Sequence, residues 1–210
     1  MQGILTPIIF LTFAVSWWVM QSPERKEKWL LRPYMVTHHG EWYRILSHAL
    51  IHADMTHLLL NLFVLWQFGG TVERTVQTTQ FQGILSIPSD WIFPVIYFGG
   101  VLAASIPSLL KHQNNPGYAS LGASGAVSAV LMAFILLYPT NKLLLFFVIP
   151  MPAFVAGILF FAYERYMNKK GGTGIAHDAH LYGALWGAGC VLLLDSSTLS
   201  RLISACQILF

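Results

Sequence analysis

Charge is what this sequence has least of. Only 10% of its 210 residues are Asp, Glu, Lys or Arg, against 55% hydrophobic, and the mean hydropathy is +0.59. Soluble domains carry about a quarter charged residues, so that class is excluded and a polytopic membrane protein is expected. Cysteine is nearly absent: Cys190 and Cys206 form neither a CxxC pair nor a disulfide framework, and both are expected to be packing residues. The net charge of +3 is dispersed, and no basic stripe interleaved with aromatics is present, which excludes nucleic acid as a partner. No small-residue cleavage site follows the first apolar run, so a retained span is expected there rather than a removable leader. Nothing in the residues implies a cofactor or a resident metal.

Long apolar runs are what the sequence does have. Residues 3–20, 55–72, 91–110, 122–139 and 143–163 each approach the roughly 20 residues that a membrane-spanning helix needs. A sixth run, 175–194, carries His177 and Asp178 near its start, and such groups are costly in lipid unless they face a functional interior. The expected fold is therefore all-α, a six-helix membrane bundle forming one domain over 1–210. Between the first two spans lies the densest charge, Glu24-Arg25-Lys26-Glu27-Lys28, beside Trp29, Trp42 and Tyr43. That mixture suits a loop at the lipid headgroups. Pro150 and Pro152 fall near the centre of the fifth run, where they predict a bent and easily displaced helix.

Chemistry concentrates at three places. Gly122-Ala123-Ser124-Gly125 puts a hydroxyl at the start of the fourth span, where glycines admit a close approach and the helix N-terminus favours developing negative charge. The structural alternative is a packing face of Gly125, Ala129 and Ala133. His57 and Asn61, four residues apart, share one face in the first turns of span 2. Asn61 is either a hydrogen-bond donor at a site or a clip between helices. His180 lies on the face of Gly183 and Gly187 in span 6, a GxxxG pattern suited to close packing against span 4.

Alternate helices of a serial bundle run in the same direction, so spans 2, 4 and 6 bring these residues to one side and one depth. The set supplies a nucleophile (Ser124), a base (His180) and oxyanion donors (Asn61, His57), the parts acyl transfer needs. No third carboxylate is evident. Asp178, two residues from His180, projects to another helix face and is assigned a capping or loop role, which leaves a Ser–His dyad.

The run Trp42-Tyr43-Arg44, then His48, His52, His57, Leu58 and Asn61, then Gly69-Gly70 and Glu73, then Gly122-Ala123-Ser124-Gly125, then His180, Gly183 and Gly187 resembles the rhomboid intramembrane serine proteases of the six-span bacterial type. The resemblance implies Ser124 as nucleophile, His180 as base, and His57 and Asn61 as oxyanion donors. It also implies single-span transmembrane proteins as substrates, which would enter between spans 2 and 5, and the bacterial inner membrane as location. It further implies a cytoplasmic N-terminus, an orientation that leaves nine Lys and Arg outside and three inside, against the positive-inside tendency. One position departs: Ser128 stands where the family carries a tyrosine packed on the catalytic imidazole. Two other readings are a catalytically inactive relative that binds membrane helices, and a metal or proton transporter built on His48, His52, His57, His177 and His180. The transporter lacks a carboxylate at residue 49, an alanine, and is expected to lack any Asp or Glu mid-span to relay ions.

Overall fold

The computed structural model describes residues 3–84, 87–145 and 148–207. Helix α1 (Leu5–Met20) leads into three short helices, α2 (Pro23–Trp29), α3 (Pro33–His39) and α4 (Arg44–Ser47), and a 3₁₀ turn at His48–Leu50. There follow α5 (Met55–Thr78), α6 (Ser89–His112) and α7 (Ser124–Leu137), a hairpin of β1 (Lys142–Leu145) and β2 (Ile149–Pro152), then α8 (Ala153–Lys170), α9 (His177–Leu194) and α10 (Thr198–Gln207).

Helices α5 and α6 are each long and apolar enough to cross a membrane, and α9 with α10 counts as a third if the 108° bend between them belongs to one span. Helices α1 and α7 are apolar but shorter, at 16 and 14 residues. The expectation for the fifth span needs correction. Residues 143–163 are not one helix: β1 and β2 pair antiparallel with Leu143 opposite Met151 and Leu144 opposite Pro150, so the protein is mostly helical rather than all-α. Phe146 and Phe147, also in that run, lie outside the described residues.

The prolines explain the hairpin. Ala153 N–H donates to the Asn141 carbonyl at 2.8 Å. Because bonded pairs alternate along an antiparallel ladder, Pro150 and Pro152 occupy positions whose missing N–H costs the ladder nothing. Pro152 then precedes the first turn of α8, and a helix expected to be kinked at its centre instead begins there, about ten residues late.

Helix α7 is the central post, with twelve of its fourteen residues buried, packed against α5, α6, α8 and α9. Small residues make this density possible. A Cβ added at Gly183 would fall inside the backbone of Gly125, and one at Gly187 inside that of Ala129, so the GxxxG face of α9 lies flat on α7 as its pattern implied. On the other side Ala104 of α6 occupies the space a side chain at Gly125 would need.

The segment between α1 and α5 is braced from within. Buried Arg44 donates through Nη1 to the carbonyls of Glu27 and Leu30, both at 2.9 Å, and through Nε to Glu41 at 2.5 Å. Leu31 exchanges two backbone hydrogen bonds with Ser120, at 2.9 and 3.0 Å, which ties this segment to the loop entering α7. At the other end of α5, Glu73 accepts from the backbone N–H groups of Ile4 (2.6 Å) and Leu5 (3.1 Å), capping the start of α1.

Candidate active site

The loop before α7 sets where the Ser124 hydroxyl points, and two histidines hold that loop. Gly122 N–H donates to the His48 carbonyl at 2.9 Å. The His48 ring reaches α6, where its Nε2 donates to Ser105 Oγ at 3.0 Å while Ser105 donates onward to the Val101 carbonyl. Ala123 N–H donates to His52 Nε2 at 3.3 Å, so the His52 hydrogen sits on Nδ1 and is given to Ser16 Oγ at 2.8 Å. Burial pushes the His48 imidazole down to about 4 and that of His52 to about 3, the latter also opposed by the neighbouring His57. Burial thus keeps both neutral, and for His52 the bond it accepts from Ala123 requires this.

Gly122 has φ +116°, a conformation that strains any residue with a Cβ. The missing side chain leaves a niche. A Cβ there would lie 3.0 Å from His57 Cε1, 3.2 Å from His57 Nε2 and 3.8 Å from Ser124 Oγ. The bare Cα of Gly122 thus keeps the space between the His57 ring and Ser124 Oγ free of any side chain. The half-buried Ser124 opens α7, so its own N–H lacks an intrahelical acceptor and adds to the donors at that end.

His57 is presented by the first turn of α5, where Asp54 caps the helix by accepting from His57 N–H at 2.9 Å. Asn61, buried one turn further on, donates its Nδ2 to the His57 carbonyl at 2.9 Å. Its hydrogen bond is thus within α5 and leaves the second N–H of the amide for another acceptor.

Ser124 Oγ and His180 Nε2 are 2.8 Å apart. Of the four residues the sequence singled out, three therefore converge directly: Ser124, His180 and, across the Gly122 niche, His57. Asn61 follows on the same face of α5.

The sequence reading missed a carboxylate. Glu164, buried on α8, accepts from His180 Nδ1 at 3.0 Å through Oε1 and from His177 Nδ1 at 2.6 Å through Oε2. The expectation of no third carboxylate is corrected by this residue. The reason is one of register: with the fifth span placed at 143–163, Glu164 fell just past its end, whereas it is the twelfth residue of α8. Asp178 lies in the first turn of α9 rather than in a loop, pairing with Lys111 at 2.5 Å and accepting from Ala179 N–H. Ser128 folds back to donate to the Ser124 carbonyl at 2.8 Å, so the position held by the family tyrosine carries no ring against His180. Glu164, His177 and His180 also present ligand atoms within 4.8 Å of one another, a donor set able to hold a divalent cation.

The family model of the rhomboid domain matches residues 39–196, three-quarters of the chain. The chain belongs to the rhomboid family. It is 29% identical over 163 residues to RHOMBOID-like protein 12, mitochondrial, of Arabidopsis thaliana, a match covering 69% of this chain and 44% of that protein. It is 30% identical over 148 residues to Rhomboid protein 1, mitochondrial, of Saccharomyces cerevisiae, covering 68% and 39%. Rhomboid protease GluP of Bacillus subtilis is 30% identical over 103 residues, 49% of this chain and 17% of the relative. The chain thus spans less than half the length of these curated relatives. The family includes intramembrane serine proteases, and the chain is a multi-pass membrane protein.

Proposed function

We propose that this rhomboid is an intramembrane serine endopeptidase that cuts single-span transmembrane proteins, with Ser124 as nucleophile and His180 as its base. The observation that carries the reading is the 2.8 Å contact between Ser124 Oγ and His180 Nε2 beside the Gly122 niche. Six helices, α1 and α5 to α9, are assigned as spans. That assignment puts the N-terminal ends of α5, α7 and α9, and with them the site, on one side of the bilayer. The bacterial inner membrane is the compartment proposed, in keeping with the resemblance to six-span bacterial members.

In the first step Ser124 Oγ forms a bond to the scissile carbonyl carbon while its proton passes to His180 Nε2. The carbonyl oxygen, now an anion, lies in the Gly122 niche, met by the Ser124 N–H, a His57 Nε2–H and the free Asn61 N–H. Each such donor is typically worth about 3–4 kcal/mol in the transition state. Breaking the C–N bond transfers the proton from His180 to the leaving amine and leaves an ester on Ser124. Water then attacks the ester carbon and gives a proton to His180; the bond from that carbon to Ser124 Oγ breaks, His180 returns the proton to Oγ, and the new carboxylic acid leaves.

Reconstituted wild-type protein should cleave a model single-span substrate at one bond, and Ser124→Ala should leave it whole. Binding of the substrate helix without cleavage by the wild type would favour the inactive-relative reading instead.

A further inference from the structure

Resting on that reading, we infer that Glu164 is the positioning residue of the site. Its carboxylate, itself clamped by His177, fixes the His180 ring and tautomer that Ser124 needs, in place of the aromatic ring that Ser128 cannot provide.

The argument is a balance of hydrogens. A carboxylate only accepts, so the two imidazoles facing Glu164 must both carry hydrogen on Nδ1. For His180 this leaves Nε2 bare, and Nε2 is the atom 2.8 Å from Ser124 Oγ, where a base must have a free lone pair. For His177 it likewise leaves Nε2 as an acceptor, which Thr173 Oγ–H fills at 2.9 Å while Thr173 Oγ accepts from Ile175 N–H at 3.3 Å. Every donor from Ile175 to Ser124 then has one acceptor, and no alternative placement of the protons satisfies them all. The opposite tautomer of His180 would aim a hydrogen at the serine and a lone pair at the carboxylate.

Burial strengthens the same point. Glu164 and His177 are 5% and 3% exposed, so neither is a surface pair that solvent would screen. Each carboxylate oxygen is engaged by one imidazole, and the Glu164 side chain has no freedom to leave His180 without abandoning His177. When His180 takes the serine proton, the positive charge forms 3.0 Å from a carboxylate oxygen, which stabilises the charged intermediate as well as the ring's orientation. Lys111 and Asp178, the charged pair at the start of α9, neutralise each other, and His57 faces the site from α5.

The test uses the full chain in liposomes, a single-span substrate and a fluorophosphonate probe that counts reactive Ser124. Glu164→Gln preserves shape but removes the charge and the demand for hydrogen on Nδ1. Exhaustive labelling should reach the wild-type fraction, KM should hold, and kcat per labelled site should fall by about 10²–10⁴-fold. In a His180→Ala background the same substitution should cause no further fall, because groups acting as a unit are not additive. If Glu164→Gln does not assemble, Glu164→Asp draws the carboxylate back by one methylene and should lose about 10²-fold in kcat per labelled site. Wild-type kcat per labelled site in whichever variant assembles would overturn the inference, since a purely structural role would lower only the fraction labelled. Loss of wild-type activity on dialysis against EDTA would also overturn it, in favour of a bound cation at the same three groups. A wild type that neither labels at Ser124 nor cleaves would bring down the protease reading together with the inference.

Discussion

Helices α7 and α8 carry two members of one hydrogen-bonded chain, Ser124 and Glu164, yet they are held very differently. Twelve of fourteen residues in α7 are buried, whereas in α8 only Ala153, Phe154, Gly157 and Glu164 are. Ile158, Leu159, Tyr163 and Tyr166 all point outward, 46–64% exposed, into what would be lipid. Ser124, the proposed nucleophile, therefore sits on a helix packed on nearly every side. Glu164 sits on a helix held at its start by Ala153 and Phe154, further along by Gly157 against Ile135 and Met132 and by Phe160 and Phe161 against the core, and at the site by the clasp of Glu164 on His177 and His180. Precision at the attacking atom comes from α7. On the proposed function, the more exposed α8 is the side at which a substrate helix is expected to enter.

The sharpest way to break this contrast is at the fixed side. Asn61→Ala should lower kcat by about 10²–10³-fold with little change in KM, because an oxyanion donor acts mainly in the transition state. Unchanged kcat with a lower melting temperature would make Asn61 a structural residue. Next comes Gly183→Leu, which drives a side chain into the Gly125 backbone. It should cost about 3 kcal/mol, read as early unfolding in a detergent melt.

How much of this was legible beforehand follows the same division. The α7–α9 side announces itself, because close packing demands small residues at fixed spacing, and Ser124 and His180 lie on that pattern. The α8 side gives no comparable signal. Residues 143–163 are uniformly apolar, and apolarity alone does not distinguish a hairpin followed by a helix from one helix with two prolines in it. Placing the helix ten residues early moved Glu164 out of the bundle, and with it the partner of His180. The short helices α2 to α4 were also hidden, since they are held by buried Arg44 and by backbone pairing of Leu31 with Ser120 rather than by any periodicity.

A milder perturbation tests the loop that aims Ser124. His48 and His52 are held near 4 and 3, below their ordinary value of about 6.5, so the unfolded chain binds more protons than the folded one below that pH. Stability should be full above pH 6.5 and decline as the pH falls toward 4, by up to about 1.4 kcal/mol per pH unit for each histidine. Replacing His52 by Gln should flatten that decline, and an unaltered slope would mean that His52 contributes nothing to it. The smallest effect is expected at the loose side: Ile158→Ala should change the melting free energy by less than about 0.5 kcal/mol in detergent. A larger loss would show that α8 is packed more firmly than its exposed face implies.

The account turns on Ser124 being activated by His180 and by nothing else. Peptide mapping after fluorophosphonate treatment reads this directly. It should find the label on Ser124 in the wild type and almost none in His180→Ala at equal time and protein fold. A label on another residue, or equal labelling of Ser124 without His180, would contradict it.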